Sequence, residues 1–327
     1  MHFSSASRKI LIGFMEVSDL PQFSGGVVYA IGVFDGVHRG HQLIVQEMRR
    51  LAQQCAARAV ALTFDPHPRA VLQPQTAPRL LIPLEERCRR LRQAGADEVR
   101  VISFNRSLAA LPPEDFLDSL LEGEAKLRGI CVGSNWHFGA KSAGNAAFIA
   151  RRAEGNFHFR SVPELELDGE IVSSTAIRQR IAAGDLNGAA QFLGTPCKLY
   201  GVVEHGFQDA ANVLKHPTAN LNCGDCLLPP DGVYAVRVSM AQGVWIGAMN
   251  VGLAPTFARE NPVRRLEIHL LDFAGDLYGA PLEVELLRYL RQERKFSDPM
   301  ALKAQIELDV KEIRAAASGS CATGETI

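Results

Sequence analysis

Apolar residues recur along the first half of the chain in short β-branched runs, Val27–Val33, Ala59–Phe64, Val99–Phe104 and Ile130–Gly133, which read as buried strands. Between the first two runs, Ile44, Met48, Leu51 and Cys55 fall at helical spacing, so that segment predicts a helix with one face packed on a sheet. Strand, helix and strand in that order form a βαβ unit, and its repetition predicts a parallel sheet. Further helices are expected over Glu85–Gln93, Glu114–Leu121 and Thr175–Ala183, the last after a strand near Phe157–Val162.

Beyond Gly194, Thr195 and Pro196 the pattern changes to strands alone: Tyr200–Glu204, Val233–Val238, Val244–Val251, Leu266–Leu271 and Leu282–Leu287. Consecutive strands without intervening helices predict an antiparallel sheet closed into a small barrel. Ser297 is then placed to cap a final helix whose apolar stripe is Leu302, Ile306, Val310 and Ile313. The expected architecture is α/β: a Rossmann-like domain with a parallel sheet over residues 1–190, a small antiparallel β-barrel with a terminal helix over 191–317, and a disordered tail over 318–327.

Composition changes little in this picture. At 327 residues the chain exceeds what one hydrophobic core usually serves, which favours two domains. Lysine and arginine (35) nearly cancel aspartate and glutamate (36), for a formal charge of −1, so no basic field marks a nucleic-acid surface. The apolar run Ile10–Met15 is broken by Glu16 before it reaches the length of a signal peptide or membrane span. Seven cysteines, an odd number without framework spacing, fit reduced thiols and a cytoplasmic location. Cys223 and Cys226 have C-x-x-C spacing, but tetrahedral zinc needs two further ligands and no second such pair exists, so they read as loop cysteines. Oligomeric state is not legible.

The most informative stretch is Gly32-Val33-Phe34-Asp35-Gly36-Val37-His38-Arg39-Gly40-His41, where a buried strand passes through glycines into a helix. Gly36 and Gly40 let backbone approach a phosphate chain, and the free N–H groups and dipole of a helix start favour negative charge. His38 and His41, three residues apart, are expected to share a helical face and to donate hydrogen bonds to phosphate oxygens as charge builds on a leaving pyrophosphate. Ser173-Ser174-Thr175 followed by Arg178 supplies hydroxyls at a second helix start and a guanidinium one turn in, suited to the other side of a triphosphate. In isolation either segment would be an ordinary polar helix terminus; together they form a candidate ATP site.

Two more segments fall where open α/β sheets bind ligands, beyond the carboxyl ends of strands. They are Thr63-Phe64-Asp65-Pro66-His67-Pro68 and Gly133-Ser134-Asn135-Trp136-His137-Phe138-Gly139, and with them the sequence from about Val27 to Ile313 resembles the prokaryotic bifunctional riboflavin kinase and FAD synthetase family. The resemblance implies a nucleotidyltransferase first domain that carries out FMN adenylyl transfer. Gly32, Phe34, Asp35, Gly36, His38, Gly40, His41, Ser174, Thr175 and Arg178 would bind ATP. Asn135 and the turn of Asp65, Pro66, His67 and Pro68 would seat FMN. Trp136, where the family usually has phenylalanine, and Phe138 are candidates for an aromatic wall against the flavin, with core packing as the alternative.

In the second half, Pro217-Thr218-Ala219-Asn220, Asn250-Val251-Gly252 with Pro255-Thr256-Phe257, and Leu266-Glu267-Ile268-His269 resemble flavokinase motifs, and Leu290-Arg291-Gln292-Glu293-Arg294-Lys295-Phe296 resembles the family's closing motif. By that resemblance Thr218 and Asn220 hold ATP and Mg2+, Glu267 takes the proton from the terminal hydroxyl of riboflavin, and Arg291 touches the flavin. A hydroxyl and an amide oxygen are hard ligands that suit magnesium. The chain departs from the family before Pro217, where a glycine- and arginine-containing run is replaced by Ala211, Asn212, Val213, Leu214, Lys215 and His216. Three readings follow: an enzyme making FMN and then FAD, an FMN adenylyltransferase whose kinase domain is weakened by that loop, and a non-catalytic flavin or nucleotide sensor. ATP, riboflavin and FMN are the expected small-molecule partners, with no nucleic acid and no membrane.

Overall fold

A computed structural model describes residues 25–122, 126–204, 219–253, 264–294 and 299–319. The chain divides into two compact units, Met1–Arg79 with Leu84–Ser173, and Leu80–Pro83 with Ser174–Ile327.

In the first unit β1 (Val27–Ile31) turns into α1 (Arg39–Gln54), followed by β2 (Arg58–Asp65), α2 (Pro68–Leu72), α3 (Leu84–Gln93) and β3 (Glu98–Ser103). α4 (Arg106–Ala109), α5 (Pro113–Glu122) and β4 (Leu127–Gly133) come next, then a small hairpin of β5 (His137–Phe138) and β6 (Gly144–Asn145). α6 (Ala146–Ala153), β7 (His158–Val162) and a second hairpin of β8 (Glu166–Leu167) and β9 (Glu170–Ile171) complete it. The main sheet has the order β3-β2-β1-β4-β7 with every pair parallel, as expected. All five residues of β1 are buried, the signature of a central parallel strand covered on both faces. α1 packs Ile44, Val45, Met48 and Leu51 onto the sheet, each such burial contributing about 1.5–3 kcal/mol.

Because the chain builds outward from β1 through β2 to β3 and then crosses to β4, the order of connection reverses between β1 and β4. The loops leaving these two neighbours diverge there, which opens a crevice at the carboxyl ends of the strands. β1 stops at Ile31, two residues short of its expected end, because Phe34, Gly36 and Val37 take positive φ values of 53°, 83° and 45° and turn the backbone away. Such values are strained for Phe and for β-branched Val, of the order of 1–3 kcal/mol each.

The second unit opens with α7 (Ser174–Ala182) and α8 (Leu186–Leu193). β10 (Lys198–Glu204), β11 (Ala219–Asn222), β12 (Gly232–Met240), β13 (Gly243–Leu253), β14 (Arg264–Leu270) and β15 (Pro281–Arg291) follow, then α9 (Pro299–Gly319). The strands form a closed barrel in the order β10-β11-β14-β13-β12-β15. The barrel and final helix agree with expectation; β11 was hidden because four residues beginning within Pro-Thr-Ala-Asn read as a turn. Leu80 joins this unit too, bridging to Cys226, with its N–H donating to the Asp225 carbonyl at 3.1 Å and its carbonyl accepting from Leu227 N–H at 2.8 Å.

The stripe on α9 is as expected, with Ile313 fully buried against Ala235 and Leu271. Ser318 and Gly319, the first two residues of the expected tail, belong to this helix, and Ser318 Oγ donates to the Arg314 carbonyl at 2.9 Å. The Ile10–Met15 run, the replaced loop Ala211–His216, Thr218, Pro255–Phe257 and the cap Ser297 lie outside the described residues. Among the described residues no helix is long and apolar enough to cross a membrane.

Candidate active sites

Within the first unit the loop after β1 brings its predicted residues together, with one correction to their geometry. His38 is not on the helical face with His41. It is the N-cap of α1, with extended backbone (φ −65°, ψ 170°), and its Nδ1 accepts the backbone N–H of His41 at 3.4 Å. The two imidazoles stack, centroids 3.6 Å apart and planes 21° apart, and the edge of Phe34 meets His41 at 5.3 Å and 88°. His38 is 5% exposed and Asp35 2%. Gly32 leads into Phe34, and Gly40 stands in the first turn of α1, its Cβ position 3.6 Å from the carbonyl of Val172.

Since His38 Nδ1 is an acceptor, the proton of its neutral ring is assigned to Nε2. His41 Nδ1 is sealed from solvent without a hydrogen-bond partner; an orphan lone pair costs less than an orphan N–H, so its proton is also assigned to Nε2. Burial holds the His41 pKa well below its ordinary value, helped by the His38 ring and the Arg87 guanidinium. Nε2 is thus the donating nitrogen assigned to both rings, at the start of α1.

Arg87, from α3, is what sequence reasoning missed. Its side chain is 0% exposed. Nη1 donates to the Val33 carbonyl at 3.0 Å, the Phe64 carbonyl at 3.0 Å and Thr63 Oγ1 at 3.3 Å, and Nη2 reaches Asp65 Oδ1 at 3.4 Å. One turn on, Arg90 donates to the Gly36 carbonyl at 3.3 Å and to Glu86 at 2.6 Å. Arg87 therefore ties the end of β2 to the loop after β1, and Arg90 ties α3 to Gly36 of the same loop. Leu-Glu-Glu-Arg-Cys-Arg-Arg reads as a solvated charge run; only burial reveals its role.

The remaining first-unit candidates line the carboxyl ends of the strands. After a cis Asp65–Pro66 bond, His67 caps α2, its Nδ1 accepting Arg69 N–H at 3.1 Å, and Pro68 opens the helix. Asn135, exposed after β4, donates from Nδ2 to Glu164 Oε1 at 2.6 Å. Trp136 stacks on Phe138 with centroids 4.7 Å apart and planes 13° apart. Phe138 is buried among Phe116 and Phe148. Of the two aromatics, then, Phe138 is core and Trp136, half-buried, has a face to offer. Ser174, Thr175 and Arg178 open α7, in the second unit; Ser174 and Arg178 are half-buried and Thr175 is exposed.

In the second unit strand register assembles the other candidates. Asn220 pairs with Glu267, Glu267 with Asn250, Asn250 with Val233, and Val233 with Arg291. Directly paired residues share a face, and alternation with the buried Ala219, Leu221, Leu266 and Ile268 puts this row on the outside of the barrel. Outside here means under α9. A cavity of about 330 Å³ is walled by Asn250, Glu267 and Arg291 on the barrel and by Leu302, Ile306 and Val310 on the helix. Arg291, expected to touch flavin, is held by a carboxylate: Nε lies 3.1 and 3.2 Å from the two Asp309 oxygens and Nη2 2.8 Å from Oδ2. That fork latches α9 to the barrel.

Among the described residues no group of three or more His, Cys, Asp or Glu gathers as a metal site, and the six described cysteines are free thiols. Asn220 and the Thr218 hydroxyl are oxygen donors only, a set that fits a hard cation shared with phosphates rather than an all-protein cage.

An α/β sheet with a histidine-capped helix start at its switch point, joined to a six-stranded barrel with a helix-covered cavity, is the architecture of a two-domain nucleotide-dependent transferase. The chain matches the FAD synthetase family model over residues 20–176 and the riboflavin kinase model over 193–317. It is 38% identical over 296 residues to the bifunctional riboflavin kinase/FMN adenylyltransferase of Pseudomonas fluorescens, covering 90% of this chain and 94% of that one. It is 34% identical over 303 residues to the protein of the same name from Escherichia coli K12, covering 92% and 95%. A solved structure described as a macrolide-efflux protein from Streptococcus pneumoniae superposes with a TM-score of 0.78 at 28% identity, covering 89% of this chain and 94% of that one. The chain belongs to the family of bifunctional riboflavin kinase/FMN adenylyltransferases.

Proposed function

We infer that the chain makes flavin cofactors in two steps: riboflavin and ATP give FMN and ADP, then FMN and a second ATP give FAD and pyrophosphate. Residues 191–317 carry the first step and 1–190 the second. The observation that carries this reading is the stacked His38–His41 pair at the start of α1, in a chain that also matches a riboflavin kinase.

In adenylyl transfer a phosphate oxygen of FMN attacks the α-phosphorus of ATP and the bond to pyrophosphate breaks, with no covalent enzyme intermediate. Catalysis is then positioning and charge stabilisation. His38 and His41 donate from Nε2 to the departing pyrophosphate, while Gly32, Phe34, Asp35, Gly36 and Gly40 shape the loop that receives ATP. Ser174, Thr175 and Arg178 hold the triphosphate. Asp65, Pro66, His67, Pro68 and Asn135 seat FMN, with Trp136 against the ring and Phe138 backing it.

In the kinase step Glu267 accepts the proton of the terminal riboflavin hydroxyl as its oxygen takes the γ-phosphoryl group. Thr218 and Asn220 would hold Mg2+, which neutralises charge on the transferring phosphates. Arg291 acts on the flavin through the wall it forms with Asp309. The cytoplasm, where ATP and reduced thiols coexist, is the expected location.

Chromatography of products after adding riboflavin, Mg2+ and ATP to the full chain tests the reading. FAD is expected. FAD from added FMN but not from riboflavin would leave adenylyl transfer alone, and binding of both substrates without pyrophosphate release would reject catalysis.

A further inference from the structure

Beneath α9 the barrel presents a polar atom that the fold leaves unused. Asn250 Nδ2 donates to Glu293 Oε1 at 3.2 Å. Because a carboxylate only accepts, this bond fixes which way the amide faces. Asn250 Oδ1 is then sealed from solvent with no hydrogen-bond partner among the described residues. Gly252 leaves room for this arrangement: a Cβ there would lie 2.5 Å from Glu293 Oε2, and the carboxylate would have to shift. Both Asn250 and Glu293 wall the cavity that Glu267 also lines.

An acceptor kept dry and unpaired in a cavity wall is suited to a donor from a ligand. Its neighbour says which donor. Asn250 is the direct cross-strand partner of Glu267, which puts their Cβ atoms about 4.5–5.5 Å apart. If Glu267 faces the reacting hydroxyl, the donors within that spacing are other hydroxyls of the same polyol; the ring N–H of a flavin stands at the far end of the molecule.

We propose that Asn250 Oδ1 accepts a hydrogen bond from a non-reacting hydroxyl of the ribityl chain, making Asn250 a determinant of specificity for a full polyol in the kinase step. Glu293 is its positioning residue. The proposal rests on the reading of Glu267 as the base.

The test compares riboflavin with a flavin bearing a 5-hydroxypentyl chain, which keeps the reacting hydroxyl and lacks the others. Dissociation constants are read by flavin fluorescence on the full chain. Wild type is expected to prefer riboflavin, and Asn250→Ala to narrow that preference about tenfold by weakening riboflavin alone, the scale of one buried hydrogen bond. Asn250→Ser, too short to reach, gives the same narrowing should the alanine variant fold poorly, and unchanged FAD formation from added FMN reports an intact first unit. An unchanged preference ratio in a folded variant, or equal weakening of both flavins, overturns the proposal. Glu267→Gln tests the underlying reading separately, because it should abolish turnover while leaving the preference ratio as in wild type.

Discussion

Arg87 Nη1 donates to the carbonyl oxygen of Val33 at 3.0 Å from a side chain with no solvent exposure. The same nitrogen holds the Phe64 carbonyl, so a single guanidinium sets the spacing between the loop proposed for ATP and the turn proposed for FMN. Arg87→Met would remove this donor from both carbonyls, leaving Val33 with only the Thr63 hydroxyl at 2.9 Å, at a cost of about 1–3 kcal/mol. A misplacement of the order of 1 Å would lower FAD formation about a hundredfold. FMN formation from riboflavin, assayed in the same sample, is expected to persist, and Arg87→Lys to recover part of the loss.

The stacked imidazoles make a sharper prediction about chemistry. Replacing His38 or His41 with alanine should reduce adenylyl transfer from FMN about 10²–10³-fold, the range for loss of one preorganised donor, with the kinase rate unchanged. Loss of both rates together would point to unfolding, which circular dichroism would show.

Acid should unfold the first unit in a window set by His41. Its folded pKa lies well below its ordinary value of 6.5, so between the two values the unfolded chain binds a proton that the folded chain refuses. Stability therefore falls as pH drops below about 6.5 and is regained as pH rises through it. Thermal melting from pH 5 to 8 measures this slope; His41→Asn should flatten it.

Glu267→Gln retains size and removes the base. FMN formation should fall about 10²–10⁴-fold while FAD formation from supplied FMN continues. Persistence of FMN formation at the wild-type rate would remove Glu267 from the mechanism.

Burial pushes the thiols of Cys131 and Cys223 up to about 12, so neither is a thiolate at pH 8. Alkylation by iodoacetamide is expected to be slow in the native chain and fast after unfolding, with mass spectrometry locating the adducts.

Periodicity made the parallel sheet, the barrel and α9 legible, because each buries an apolar face at a fixed spacing. The turn from β1 into α1 was legible from its glycines, but the stacking of His38 on His41 was not: it depends on His38 being the cap rather than a member of the helix. Arg87 and Arg90 were illegible since a buried guanidinium and a solvated one look alike until the carbonyls it binds are known. Asn250 was seen only as part of a motif. Its unpaired oxygen exists because of Glu293, forty-three residues away in sequence, and no local pattern encodes that distance. Arg291 likewise drew attention through its motif, yet its partner Asp309 sits on the polar flank of a helix stripe and gave no sign.

The bridge from Leu80 to Cys226 has a practical corollary for anyone cutting this gene. The polypeptide enters the barrel-containing unit once for four residues, leaves, and returns at Ser174, so a single cut strips the barrel-containing unit of Leu80–Pro83. A fragment begun at Pro196 would lose the two backbone hydrogen bonds that Leu80 makes with Asp225 and Leu227, leaving that stretch of the barrel unit open to solvent.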